Sequence, residues 1–249
     1  MRNREPVDLE MLPILRMLAV VIVVALVMIL IYTGIRSLPR YETIASDSSW
    51  IFAHLLHIPQ FVIPFVLIWY VSRGKLSAYG FRLRTNSLLI THRRMLVLGI
   101  LVGLLMSLGH ISRAFTGATP QVPQPVTFMS VLGHMSFQWI VVGLSEETMF
   151  RGLIQTYLME RLRGTVRLLG HELHVGTVIT ALIWGAFHFI NILIMPIGPV
   201  IFYVVLTTFA GLAMGYAYQE SRSLLTTIIV HNMIFGVPLA IGYLLYWLV

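Results

Sequence analysis

The chain has no cysteine and only two aspartates, Asp8 and Asp47. The first absence removes thiol nucleophiles, thiolate metal sites and disulfides. The second removes an aspartyl protease pair, because neither aspartate lies in an apolar run. Charge is scarce as well, with 11% of 249 residues charged against 57% hydrophobic. Soluble domains carry about 25% charge, and a water-facing surface cannot be built from so little. No polar linker divides the chain, so residues 1–249 read as one integral membrane domain.

The basic residues present are sixteen arginines and a single lysine, and the net charge is +7. They sit in short loops between apolar runs, without a long basic helix or an aromatic-basic platform. Nucleic-acid binding is therefore excluded, and loop bias across a bilayer accounts for the charge.

A helix needs about 20 apolar residues to cross the hydrocarbon core. The runs 11–34, 50–72, 94–112, 127–159, 176–196, 198–218 and 224–248 meet this. The predicted fold is an all-α, polytopic transmembrane helix bundle of seven spans, with six or eight as alternatives. The first run is too long for a secretory signal core and lacks a cleavage site after it. The fourth is predicted to cross from Val126 to about Leu144 and to continue to Glu160. Gly198 and Pro199 are expected to form the turn between the fifth and sixth spans. Gly236-Val237-Pro238 is expected to kink the last span or split it in two.

Arg73, Lys75, Arg82, Arg84, Arg93 and Arg94 fall in one loop without acidic residues, and Arg161, Arg163 and Arg167 in another. Both loops are expected inside, together with the N-terminus and its Arg2 and Arg4. The short chain and the lack of an ER-type tail point to a prokaryotic plasma membrane.

Eight of the ten acidic residues lie near termini or in loops: Glu5, Asp8, Glu10, Glu42, Asp47, Glu160, Glu172 and Glu220. The other two, Glu146 and Glu147, are adjacent in the fourth span, where an unpaired charge costs several kcal/mol and a functional role is the default. Glu147 and Arg151, at i and i+4, share a helix face and can pair. Glu146 lies about 140° around the helix from Arg151 and is left to act as a base. Trp184-Gly185-Ala186-Phe187-His188 sits in the fifth span. Trp184, one turn earlier, can buttress the His188 ring, and Asn191 shares its face. His231-Asn232 lies about two turns into the last span. His188 lies roughly 18 Å and His231 roughly 10 Å along their helices, depths at which both can meet Glu146. A carboxylate and imidazoles can move a proton from water to a leaving amine, with Asn or a second His stabilising the oxyanion.

Other intramembrane chemistries lack their residues. Gly143-Leu144-Ser145-Glu146 does not supply Gly-x-Ser-Gly. His171-Glu172-Leu173-His174 is one residue too short for His-Glu-x-x-His and is expected in a loop. His54, His57, His110 and His134 read as packing or interface residues, and His92 as a loop residue.

These motifs resemble those of the CAAX prenyl endopeptidase and bacteriocin-processing (CPBP, or Abi) family. Glu146-Glu147-Thr148-Met149-Phe150-Arg151 is similar to its Glu-Glu-x-x-x-Arg motif. Trp184 to His188 is similar to Phe-x-x-x-His, and His231 opens the third, His-x-x-x-Asn/Asp. The resemblance covers about 140–235, within a motif core at about 127–249. It implies a glutamate-dependent intramembrane endopeptidase in which Glu146 and His188 activate water and His231 stabilises the oxyanion. Position 235 is Phe where the family has Asn or Asp, leaving Asn232 or Asn191 to substitute, although Asn232 is on a different face from His231. The implied partners are a peptide or protein substrate and the lipid bilayer. The substrate choices are a prenylated C-terminus, a peptide pheromone or a bacteriocin precursor. Glu146, His188 and His231 are also a donor set for a divalent metal such as zinc. A non-enzymatic immunity or scaffold protein is the alternative raised by Phe235. A proton-coupled transporter lacks the supporting inverted repeat.

Overall fold

The computed structural model describes residues 10–82 and 86–249, with backbone only for 86–92. Arg2, Arg4, Glu5, Asp8, Arg84 and the His92 side chain lie outside the described residues. Among the described residues seven helices are long and apolar enough to cross a membrane: α1 Met11–Arg36, α2 Tyr41–Val71, α3 Arg93–Phe115, α4 Phe128–Arg161, α5 Val175–Leu193, α6 Ile197–Ser221 and α7 Leu224–Leu248. The fold is an all-α polytopic bundle, with one β-hairpin between α4 and α5.

The expected spans hold, and the departures have local causes. Helix α2 begins nine residues earlier than the apolar run because a polar first section, with Glu42 and Asp47, is helical too. Ser48 (φ −149°, ψ 43°) breaks the two sections at a kink. Thr127 caps α4, its hydroxyl accepting from the Ser130 amide at 3.2 Å, which fixes the helix start. Helix α4 is not a uniform α-helix, since Phe137–Val141 and Thr148–Gln155 are wound as π-helix. Ile194–Pro196, rather than Gly198-Pro199, separates α5 from α6. Gly198 and Pro199 lie in the first turn of α6, where proline lacks no needed donor. Helix α7 runs through Pro238 as one 25-residue helix, not two.

Residues 165–174 are not a loop. Strands β1 Thr165–Leu168 and β2 His171–His174 pair antiparallel, closed by Leu169 (φ +48°) and Gly170 (φ +85°). Two consecutive positive φ values make the turn type that suits a two-residue hairpin.

The chain divides into two compact units, one of Met1–Val27, Val62–Leu83 and Glu147–Thr227, the other of Met28–Phe61, Arg84–Glu146 and Ile228–Val249. In the first, α5 and α6 meet through small residues, the means by which membrane helices approach closely. A Cβ on Gly211 would lie 2.8 Å from the Trp184 ring, and one on Gly215 2.8 Å from Thr177. Gln155 ties this pair to α4, donating to the Gly215 carbonyl (2.8 Å) and the Thr177 hydroxyl (3.0 Å). In the second unit, α7 lies against α3 and α4. A Cβ on Gly99 would meet Met233 at 2.8 Å, and one on Gly236 would meet the Trp139 ring at 2.7 Å.

Candidate active site

The two adjacent glutamates turn to different partners. Glu147, fully buried, pairs with Arg151 Nε at 3.3 Å, as the i, i+4 spacing predicts. The Arg151 guanidinium lies 4.6 Å from the centre of the Trp184 ring and donates to the Gly211 carbonyl at 3.4 Å. This ion pair therefore holds α4, α5 and α6 in one register. The π-winding leaves a mark here, because the Thr156 hydroxyl donates to the Arg151 carbonyl five residues back, at 3.0 Å. Its proton being used, Thr156 accepts from the buried Tyr218 hydroxyl at 2.7 Å.

Glu146 is 7% exposed, and in its own unit its Oε1 lies 3.7 Å from His57 Nε2. This corrects the reading of His57 as a packing residue. His57 Nδ1 lies 2.9 Å from the Ala53 carbonyl. A carbonyl only accepts, so Nδ1 carries a proton and Nε2 is the nitrogen turned to Glu146. The Phe137 ring stands edge-on to His57 at 4.7 Å. His54 and His134 are polar packing as expected, each bonded to a serine: His54 to Ser136 at 3.2 Å and His134 to Ser49 at 3.4 Å. The sequence carried a signal for this row, since His54, His57 and Gln60 recur at three-residue spacing on α2. Gln60 is fully buried.

His188 stands at the end of the α-helical part of α5, where the chain tightens into a 3₁₀ turn, His188–Leu193. Its Nδ1 donates to the Trp184 carbonyl at 2.8 Å, and the Trp184 ring meets it edge-on at 5.3 Å. Trp184 thus orients the imidazole by backbone and side chain together, leaving Nε2 for chemistry. Asn191 lies three residues on, a spacing that 3₁₀ geometry eclipses, and its carbonyl closes the turn by accepting from the Ile194 and Met195 amides.

His231 is buried on α7, its ring 5.1 Å from that of Phe235. Phe235 therefore packs on the imidazole at the position where the resemblance calls for a hydrogen-bonding side chain. Asn232 donates from Nδ2 to the Trp139 carbonyl at 2.7 Å. That carbonyl lies in the first π-stretch, so Asn232 serves to satisfy unwound backbone. Its Oδ1 lies against Gly143. Asn232 thus joins α7 to α4 through one of its two amide N–H groups.

Residues 128–236 match the family described as type II CAAX prenyl endopeptidase, Rce1-like. No curated protein and no solved structure matches the chain. The Rce1-like segment contains Glu146, Glu147, Arg151, Trp184, His188, Asn191, His231 and Asn232. His57 lies outside it. The match and the buried His57–Glu146 pair support an intramembrane hydrolase of the glutamate–histidine type. Among the described residues no three His, Asp or Glu side chains gather as a metal donor set.

Proposed function

We propose that this protein is an intramembrane endopeptidase that cleaves the C-terminal tail of a prenylated CAAX-type protein. The observation that carries the reading is a buried carboxylate, Glu146, in a segment that matches a prenyl endopeptidase family and beside the His57 imidazole. A prenyl chain partitions into lipid, so a substrate carrying one is delivered to a site within the bilayer.

In the proposed reaction Glu146 and His188 act on one water. Glu146 takes a proton as the water oxygen bonds to the scissile carbonyl carbon. His231 donates to the oxyanion that forms. The carbon–nitrogen bond then breaks as the proton held by Glu146 passes to the departing amine, and His188 Nε2 takes the remaining hydroxyl proton as the new carboxylate forms. Glu147 and Arg151 hold α4 in place, Trp184 holds His188, and His57 holds the Glu146 carboxylate. Residues 127–249 form the motif core of a single membrane domain, placed with its N-terminus inside a prokaryotic plasma membrane.

The test uses purified protein in lipid vesicles and a synthetic peptide with a farnesylated cysteine four residues from its C-terminus. Mass spectrometry in ¹⁸O-water is expected to show release of the terminal tripeptide and one ¹⁸O in the new carboxylate. An intact peptide, with a non-prenylated pheromone or bacteriocin precursor cleaved instead, would overturn the prenyl assignment.

The Phe235 ring on His231 favours a second reading, a non-enzymatic immunity or scaffold protein that retains the fold. Protection or assembly that survives Glu146→Gln, with no hydrolysis of any of these peptides, is its signature.

A further inference from the structure

We propose that the β1–β2 hairpin dips into the membrane, its turn at Leu168 and Leu169 entering the boundary between lipid headgroups and acyl chains. The register pairs Val166 with Leu173, Arg167 with Glu172 and Leu168 with His171. Side chains alternate across a strand, so Val166, Leu168 and Leu173 share one face with His171, which is engaged by Tyr216 of α6, and Arg167 and Glu172 take the other. The apolar face starts in the protein, where Leu173 is 4% exposed, and runs outward through Val166 and Leu168, both near 42%. It ends at Leu169, which is 92% exposed.

Leu169 also adopts φ +48°, a left-handed conformation that favours glycine, asparagine or aspartate. Water offers an exposed leucine nothing in return for that strain, whereas lipid does. The direction of the hairpin supplies the second argument. Its base is held by Gln219, which accepts from the His174 amide (2.8 Å) and donates to the Glu172 carbonyl (2.9 Å). Its tip is held by Tyr216, whose hydroxyl lies 3.2 Å from His171 Nδ1. Helix α6 leaves the membrane at its C-terminal end, Ser221. Tyr216 is therefore nearly one turn deeper than Gln219, and helical side chains lean toward the N-terminus, deeper still. Going from base to tip, the hairpin descends along α6 toward the bilayer.

Charges mark the limit of the descent. Arg161, Arg163 and Arg222 are exposed around the base with Glu160 and Glu220, the Arg167–Glu172 pair lies one step from the turn on the opposite face, and Leu168, Leu169 and Gly170 carry no charge. The outer edge of β1 also leaves backbone groups unpaired, which hydrocarbon does not tolerate. Both place the tip at the interfacial boundary and not in the bilayer core.

The cysteine-free sequence allows a direct test. Leu169→Cys and, as a water-facing control, Arg167→Cys are labelled with an environment-sensitive fluorophore. Each full-length protein is placed in nanodiscs of phosphatidylcholine with a minority of phosphatidylglycerol. The expected result is quenching at 169 severalfold stronger than at 167 by nitroxides on the acyl chains, with the reverse order for aqueous iodide. Iodide quenching at 169 equal to that at 167, without quenching by the acyl nitroxides, would overturn the proposal. Leu168→Cys gives the same reading should Leu169→Cys fail to insert.

Discussion

His57 Nε2 faces Glu146 Oε1 across 3.7 Å while its Nδ1 is anchored on the Ala53 carbonyl at 2.9 Å. The anchor fixes which nitrogen the carboxylate meets, and a ring that carries a second proton on Nε2 orients the Glu146 carboxylate toward water. Displacing a catalytic group by about 1 Å costs on the order of 10²-fold in rate. His57→Leu is therefore expected to lower kcat by about that factor with KM little changed, and His57→Gln to recover part of it. Steady-state kinetics on the farnesylated peptide decide this. Equal kcat in His57→Leu and wild type would remove His57 from the site.

The Glu147–Arg151 pair is fully buried, so removing one partner strands the other charge. Breaking such a pair costs about 3–5 kcal/mol. Glu147→Gln and Arg151→Met are each expected to lose stability of that order in denaturant titrations in mixed micelles. The double variant should lose less than the sum of the two. Strict additivity would mean that the pair is not coupled.

Gly143 abuts the Asn232 carboxamide, and an added Cβ would collide with it. Overpacking a filled site costs roughly 1–3 kcal/mol. Gly143→Ala is expected to lower the thermal midpoint, whereas Gly109→Ala, with nothing within 4 Å of its Cβ, should leave it unchanged or raise it. A Gly143→Ala protein as stable as wild type would contradict the close approach of α4 and α7.

These relationships were unequally legible in the sequence. Glu147–Arg151 and Trp184–His188 are contacts within one helix at i, i+4, so spacing alone predicts them. The seven spans follow from apolar length. The role of His57 was hidden because it depends on how α2 and α4 lie against each other, which a one-dimensional pattern does not contain. The contact of Asn232 was hidden for a related reason. Its partner, the Trp139 carbonyl, faces it in a π-helical stretch, and no residue in Phe137–Val141 announces that winding. The hairpin is not legible in the sequence because Leu169 stands where a turn of this type normally has Asn, Asp or Gly.

His174 gives a pH dependence outside the spans. It caps α5, its Nδ1 accepting from the Gly176 amide at 3.0 Å, which requires the neutral ring. Burial holds its pKa below the usual histidine value, and nearby Arg222 adds to the effect, against a backbone hydrogen bond to Leu162. The folded state thus favours neutral His174. Its contribution is fully present above about pH 6.5, the unfolded value, and is lost as pH falls through the lower folded value. Thermal unfolding between about pH 8 and about pH 5 should show a smaller acid loss for His174→Asn, which caps without titrating, than for wild type. Equal losses would remove His174 from the acid response.

The rate at which Glu146→Gln protein cleaves the farnesylated peptide bears most directly on the mechanism. The substitution keeps the shape of the side chain and removes its ability to take a proton. Turnover is expected to fall by about 10²–10⁴-fold, with the unfolding midpoint unchanged and with comparable losses in His188→Ala and His231→Ala. Cleavage by Glu146→Gln within a few-fold of wild type would contradict a mechanism in which this carboxylate activates water.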